Sequence, residues 1–264
     1  MMDTQDVAPK VAKDLDRVGV TGLRTLVKTK WGDNTYTFVP RIQLTVDLPR
    51  QRKGAHMSRL IEAITESIEE ESEKIYSSLE LLEKRIVENL SKKHPLTKAE
   101  ITFETELVVN RKTPKTGRNT METHDVSVTV VKGEDGFRKS LKVTVLGNTA
   151  CPHAMENAQG RTHIQRAICE LIVTSDIDVK IPLEDMIIVC EESFSSPVYT
   201  LLKTPDETEV VNAMHDNPKF VEDVARDVLD KSRTRFKGVN VRVKVTSEES
   251  IHRHNVIAEG EIDS

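Results

Sequence analysis

Leu141-Lys-Val-Thr-Val-Leu146 and Ala167-Ile-Cys-Glu-Leu-Ile-Val-Thr174 bracket the segment Cys151-Pro-His-Ala-Met-Glu-Asn-Ala-Gln-Gly-Arg-Thr-His-Ile-Gln-Arg166. The flanking runs are aliphatic and β-branched and read as strands, so the segment between them is a loop held by two rigid elements. That loop carries one thiol (Cys151), two imidazoles (His153, His163), a carboxylate (Glu156) and two guanidiniums (Arg161, Arg166). Thiolate and imidazole are borderline-soft ligands suited to Zn²⁺ or Fe²⁺. The spacing matches no zinc-finger pattern, and a single Cys in a loop often packs only as a small hydrophobe.

Outward from the loop, strand and helix signals alternate in blocks. Val18–Lys30 and Thr35–Leu48 flank Trp31-Gly-Asp-Asn34, whose centre is turn chemistry, and predict a hairpin. Pro49 ends the second arm, and Arg50-Gln-Arg-Lys-Gly-Ala-His56 forms a basic loop. From Met57 the period becomes helical, with Leu60, Ile61, Ile64 and Ile68 on one face. A second helical face runs through Ile75, Leu79, Leu82, Ile86 and Leu90 until His94-Pro95 stops it. Residues 99–110 predict a strand, 110–119 a mobile basic loop, and Gly133-Glu-Asp-Gly136 the turn of a hairpin. After the Cys151 loop come helices at Leu183–Phe194, from Pro205 through Met214, and from Asn217-Pro218 onward. Phe236–Val245 and Asn255–Ile262 close the chain as strands around Glu248–His254.

This order is strand-strand-helix-helix-strand-strand, taken roughly twice, which defines an α+β class. The expected organisation is a flexible leader at 1–17, a first module at 18–135 and a second at 136–264. Two half-size sheets would leave open edges, which favours closure through a homo-oligomer. The 264 residues carry a formal charge of −5, which argues against general nucleic-acid binding. No apolar run approaches the ~20 residues of a membrane span. The polar, charged N-terminus has no secretory h-region, and three cysteines supply no disulfide framework, so a cytoplasmic protein is expected.

Four stretches taken together resemble the type IB GTP cyclohydrolases. They are Leu48-Pro-Arg-Gln-Arg-Lys-Gly-Ala-His-Met-Ser-Arg59, Cys151-Pro-His153 through Thr162-His-Ile-Gln-Arg166, Leu202-Lys-Thr-Pro-Asp-Glu207 with Asn217-Pro-Lys-Phe-Val-Glu-Asp223, and Ser250-Ile-His-Arg-His254. The resemblance implies a tunnelling fold (T-fold), with two ββααββ modules per subunit and subunits associating into an oligomeric β-barrel with interfacial active sites. It implies GTP as substrate, opening of the guanine imidazole ring, and release of C8 as formate. It makes Cys151, His163 and Glu207 the metal ligands, for Fe(II) first and Mn(II) or Zn(II) as alternatives. It makes Glu222 the carboxylate that grips the guanine edge, and Cys151, His252 and His254 the groups nearest the chemistry. Bacterial members carry Cys-Pro-Cys where this chain has His153. That difference points to the archaeal branch, which makes a dihydroneopterin 2′,3′-cyclic phosphate, with the triphosphate as the alternative product.

The residue types suit this chemistry. A metal ion with three mixed protein ligands keeps a position open for water or substrate. His titrates where protons must move near neutral pH. A carboxylate can accept from both guanine N1–H and the 2-amino group. Triphosphate needs cations, for which Arg52, Lys53, Arg161, Arg166 and Lys219 are candidates, with His56 and His153 as further substrate contacts. Each of these residues has a plainer reading. Glu222 could be a surface carboxylate, Glu207 a first-turn helix acid, and His-x-His an incidental loop pair. Competing functions are a pterin-binding aldolase-like protein or a queuosine-pathway reductase of the same fold, or a structural oligomer with a metal-stabilised loop.

Overall fold

Strands β1 (Leu15–Arg24) and β4 (Arg41–Leu48) pair antiparallel, from Leu15 opposite Leu48 to Arg24 opposite Arg41. The computed structural model describes residues 3–31, 34–69 and 78–264. Between β1 and β4 the chain makes a separate two-stranded ribbon, β2 (Val27–Trp31) with β3 (Asn34–Phe38). The hairpin expected over Val18–Leu48 is therefore split in two. Pro40, just before β4, has no N–H to continue a ladder, so one uninterrupted arm cannot form there. Gly32 and Asp33 of the expected turn lie outside the described residues, as does Ile75 of the second helical face.

The remaining elements are α1 (Met57–Glu69), α2 (Leu79–Lys93), β5 (Ala99–Lys112), β6 (Asn119–Gly133), β7 (Gly136–Ala150), α3 (Pro152–Asn157), β8 (Ile164–Asp176) and α4 (Leu183–Glu191). After them come β9 (Ser196–Pro197), α5 (Thr204–Asp216), α6 (Val221–Arg235), β10 (Asn240–Ser247) and β11 (Val256–Asp263). The chain forms two compact units. One holds Met1–Thr105 with Ser127–Ser140, the other Glu106–Val126 with Leu141–Ser264. The division falls within the long strands β5, β6 and β7.

In the first unit the ladder runs β1-β4-β5-β6-β7. Ile42, Leu44 and Val46 of β4 and Ile101 and Phe103 of β5 alternate inward and are buried, as period-2 patterning requires. On α1, Leu60, Ala63, Ile64 and Ser67 share one face, at helical spacing. On α2 the buried face is Leu79, Leu82, Glu83, Ile86, Val87 and Leu90, and Ser78 caps its N-terminus by accepting from Leu81 N–H. Asn89 donates to Ser67 at 2.8 Å, so the α1–α2 contact contains a satisfied polar pair.

The first unit also corrects the picture of a loose leader. The Gln5 carbonyl accepts from Lys53 and Gly54 N–H at 3.0 and 3.2 Å, and Asp3 and Asp6 lie against buried His56 at 3.4 and 3.5 Å. Strand β1 already starts at Leu15.

In the second unit the ladder runs β5-β6-β7-β8-β10-β11. Cys169 sits opposite Val245 and Leu171 opposite Val243, and these four side chains are buried. Their apolar faces meet α4 (Met186, Ile187, Cys190) and α6 (Val221, Val224, Val228), which pack on the sheet and on each other. Gly147 is required where β7 passes beneath Phe194, because a Cβ there would lie 2.1 Å from the ring. The cysteines are free; the buried Cys169 and Cys190 approach at 3.5 Å between sulfurs. Burial first, then its neighbour Cys169, pushes the Cys190 thiol well up, consistent with an inert core thiol.

The 110–119 segment, expected to be mobile, is tied down. Buried Asp206 accepts from Lys115 N–H, Thr116 N–H and the Thr116 hydroxyl at 2.9, 2.7 and 2.8 Å. Helix α6 starts at Val221 rather than at Asn217-Pro218: Phe220, with extended backbone (φ −71°, ψ 161°), is its N-cap, and the Lys219 N–H before it donates to the Ala150 carbonyl at 2.9 Å.

Candidate active site

Strand β7 ends at Ala150, and Cys151 becomes the N-cap of the short helix α3, with its sulfur accepting from Ala154 N–H at 3.4 Å. Pro152, at the start of the helix, has the fixed φ that such a start needs. After α3 the chain reverses through Gln159 (φ 54°) and Gly160 (φ 81°), with Gly160 N–H donating to Met155 O at 3.0 Å. The reversal brings His163 back to the start of the loop. Cys151 N–H donates to the His163 carbonyl at 3.2 Å, and the Thr162 hydroxyl donates to the Cys151 carbonyl at 2.6 Å. Two donors twelve positions apart in the sequence thus become hydrogen-bonded neighbours.

Four further contacts bring the other second-unit candidates to this loop. Val210 and Met214 of α5 form an apolar cluster with Ala150, against which Ile164 packs. Glu207 lies three and seven residues before them on the same helical face, exposed in the first turn of α5. The Lys219–Ala150 hydrogen bond holds the start of α6, whose second residue is exposed Glu222. The Ser250 hydroxyl lies 3.4 Å from His163 Nδ1, and Glu248 N–H donates to Arg166 O at 2.8 Å. The β10–β11 connection is thereby tied to the start of β8. On that connection His252 and His254 are exposed and stack with ring centroids 5.2 Å apart and planes 5° from parallel.

His153 is exposed on α3, where Asn157 reaches its Nδ1 at 3.4 Å and donates to its carbonyl at 2.8 Å. Lys219 is not available as a phosphate donor. Its ammonium donates to Asp227 at 2.6 Å and to Ser193 O at 2.9 Å. Arg52, Lys53 and His56 belong to the first unit, and the Arg52 guanidinium lies 3.9 Å from Asp6.

Among the described residues no group of three or more His, Cys, Asp or Glu side chains is already gathered as a metal cage. The donor chemistry nevertheless fits a cation. A thiol and an imidazole flank one backbone hydrogen bond, and Glu207 sits on the helix that packs beside them. His163 Nδ1 is taken up by Gln165 Oε1 at 2.8 Å.

Several residues here were not singled out from the sequence. Arg166 lines a cavity of about 580 Å³ with Glu122, His124, Asp125, Thr144 and Tyr199. Glu122 is fixed by Thr200, whose N–H and hydroxyl donate to its Oε2 at 3.0 and 2.7 Å. Behind the cavity wall, Arg111 Nε donates to Glu191 at 2.9 Å, and Glu191 lies 3.6 Å from His124 Nε2. Burial, reinforced by the Arg111 charge, lowers His124 to about 4. Burial also raises Glu191, against the opposing pull of Arg111. Thr144, Gln165, Arg111 and Glu191 stood inside stretches already marked, but as parts of a strand, a loop or a helix, and Glu122 and Tyr199 lay outside them.

The fold is shared with solved structures. Uricase from Arthrobacter globiformis superposes with a TM-score of 0.57 at 7% identity, covering 97% of this chain and 96% of that one. At that identity the likeness concerns architecture alone, a large antiparallel sheet of the uricase-like tunnelling type. The sequence decides the family. Residues 1–258 match the family described as Type I GTP cyclohydrolase folE2, and the chain belongs to it. It is an enzyme of the GTP cyclohydrolase class. Among its relatives, GTP cyclohydrolase MptA of Thermococcus kodakarensis is 52% identical over 263 residues, 98% of each chain. GTP cyclohydrolase MptA of Methanothermobacter thermautotrophicus is 34% identical over 291 residues, covering 97% of this chain and 92% of that one.

Proposed function

We propose that this is a metal-dependent type IB enzyme of the archaeal, MptA-like branch. It would convert GTP to 7,8-dihydroneopterin 2′,3′-cyclic phosphate, formate and pyrophosphate for pterin biosynthesis. The observation that carries the reading is the Cys151 N–H bond to the His163 carbonyl, which makes neighbours of a thiol and an imidazole beside the Glu207 helix. In this reading Cys151, His163 and Glu207 hold the ion, Fe(II) first and Mn(II) or Zn(II) as alternatives. A cation there supplies Lewis-acid activation of water near neutral pH.

The chain's own residues do the rest. Glu222, exposed at the start of α6, accepts from guanine N1–H and the 2-amino group and sets the ring's orientation. His252 and His254 move protons to and from the opening ring. Arg52, Lys53, His56, His153 and Arg166 contact the ribose and phosphates. The cyclic phosphate forms when a hydroxyl of the nucleotide's own ribose-derived chain attacks the α-phosphorus and the bond to pyrophosphate breaks, with the hydroxyl proton leaving to a base. One water is consumed on opening the imidazole ring and a second on releasing formate, and one is returned when the pterin ring closes, so the net consumption is one water.

The architecture supports a tunnelling fold of two ββααββ modules, with the β2–β3 ribbon inserted in the first. Each ladder ends in a strand with a free edge, β1 or β11 among the described residues, and such edges favour closure by further copies of the chain. A homo-oligomeric, cytoplasmic enzyme follows from this reading. No helix of the described residues is long and apolar enough to cross a membrane.

The test is an anaerobic incubation of the purified protein with GTP and Fe(II) or Mn(II), followed by formate analysis and phosphorus NMR. Formate with free pyrophosphate and a cyclic phosphodiester signal is expected. Formate with three phosphates still on the pterin would make the product the triphosphate. No formate with any of the metals would overturn the activity.

A further inference from the structure

We propose that Gln165 sets the tautomer of His163, keeping the proton on Nδ1 so that the Nε2 lone pair faces a metal ion. Gln165 is thus a positioning residue, and its metal role rests on the reading of His163 as a ligand. Gln165 Oε1 lies 2.8 Å from His163 Nδ1. The other end of the amide is occupied, with Nε2 donating to Thr149 Oγ1 at 3.1 Å. Both partners are enclosed, Gln165 at 9% and Thr149 at 1% exposure, so water cannot readily replace either bond.

The chemistry of the groups makes this arrangement directional. A neutral imidazole has one N–H donor and one lone-pair acceptor, while an amide oxygen only accepts. With Oε1 facing it, Nδ1 must carry the hydrogen, and Nε2 is left as the basic nitrogen. The Ser250 hydroxyl, 3.4 Å from the same Nδ1, can donate or accept and so imposes no choice. Thr149 of β7, which precedes Ala150 and Cys151, anchors the amide beside the imidazole; its hydroxyl can donate or accept, so it fixes the amide's position and not which end faces Nδ1. Ligating histidines are commonly held in this way through their second nitrogen, and losing the partner typically costs about 10–100-fold in metal affinity. An amide holds the proton in place without adding a negative charge beside the site, as a carboxylate would.

The test uses full-length, metal-free protein labelled with ¹⁵N in its histidines, at a pH where the ring is neutral. The His163 signals are assigned by their loss in His163→Asn. The ¹⁵N shifts should show a protonated Nδ1 and an unprotonated Nε2, and Gln165→Leu should abolish that preference. Competition against a chromophoric chelator should show Zn(II) affinity falling about 10–100-fold in Gln165→Leu. Gln165→Glu, which keeps an acceptor at the same place, should retain both the tautomer and most of the affinity. Because Gln165→Leu strands the Thr149 hydroxyl, the Thr149→Val/Gln165→Leu pair is measured alongside and should behave as Gln165→Leu does. An Nε2–H tautomer in the unsubstituted protein, or unchanged affinity in both Leu variants, overturns the proposal. Undiminished Zn(II) affinity in His163→Asn would instead end the reading of His163 as a ligand, while the tautomer result would stand.

Discussion

Asp206 and Thr116, ninety residues apart in the chain, are joined by two hydrogen bonds, from the Thr116 N–H at 2.7 Å and from its hydroxyl at 2.8 Å. The same carboxylate accepts from Lys115 N–H and, at 3.1 Å, from Lys203 N–H at the start of α5. It therefore fixes both the β5–β6 connection and the first turn of the helix that carries Glu207. Burial alone would raise its pKa. The bonds from Thr116, Lys115 and Lys203 outweigh that and hold it well below the usual carboxylate range. For a carboxyl with a depressed folded pKa, the stabilisation is present above its unfolded value and is lost as pH falls toward the folded one. Asp206→Asn should lower Tm at pH 7 and flatten the fall of Tm on acidification below about pH 4. Thermal melts of both proteins between pH 7 and pH 3 check this, and parallel acid profiles would refute it.

The Arg111–Glu191 pair is enclosed, with side-chain exposures of 17% and 14%. Removing one member leaves the other charge or its proton without compensation, a change that costs about 3–5 kcal/mol in buried pairs. Arg111→Met should therefore destabilise the second unit strongly. Arg111→Met/Glu191→Leu should recover a large part of the loss, because no charge is then left to solvate. Urea unfolding of the single and double variants measures the difference; additive losses would contradict the pairing.

Glu83 on α2 is fully enclosed, with no positively charged partner against its carboxyl among the described residues and only a backbone hydrogen bond from Phe103 opposing its burial. Burial, and then the nearby Glu80 charge, raise its pKa well above the ordinary value. The fold therefore favours the neutral acid more than the unfolded chain does. Its contribution is fully present below the unfolded pKa and is lost as pH rises toward the folded one, at up to about 1.4 kcal/mol per pH unit for one proton. Glu83→Gln removes that proton linkage. The stability of the variant relative to the unsubstituted protein should improve as pH rises above the ordinary carboxyl range, read from urea midpoints between pH 5 and pH 8. A constant difference across that range would mean that Glu83 is not protonated in the fold.

Cys151→Ala and Glu222→Gln should separate the two roles assigned around the β7–β8 loop. Cys151→Ala is expected to remain folded and to lose most bound metal and nearly all turnover. Glu222→Gln should keep stoichiometric metal and weaken guanine recognition by about 1.5–3 kcal/mol, the scale of a hydrogen bond to a charged group. Metal analysis with kcat/KM for each variant decides between them. Full metal in Cys151→Ala, or metal loss in Glu222→Gln, would reassign the residue concerned. His252→Ala should cut kcat by roughly 10²–10⁴-fold, as loss of a general acid or base does, with metal content unchanged.

Much of the architecture was legible because it depends on local periodicity. Leu60 and Ile64, read at helical spacing, are buried, and Ile42, Leu44 and Val46 alternate as read; Ile61, read onto the same helical face, is exposed, and Ala63 and Ser67 complete that face instead. Punctuation was legible too. The Gly133–Gly136 turn lies where β6 ends and β7 begins, and His94-Pro95 ends α2. Errors arose where a long-range hydrogen bond overrode the local signal. Asp206 turned an expected mobile loop into a fixed one, and Gln5 drew the leader onto the Arg52 loop.

The same distinction applies to the chemistry. Residue types and their order were enough to assign the α+β class and the family resemblance, and it was the resemblance, carried over by position, that implied Cys151, His163, Glu207 and Glu222. Tertiary structure chose which of them are neighbours and which cations are spent. It set Cys151 against His163, committed Lys219 to Asp227, and placed Gln165 between His163 and Thr149. Those relationships join residues whose spacing along the chain follows no period. They depend on strand register, on the left-handed reversal at Gln159-Gly160 and on helix packing, each fixed by the folded chain as a whole.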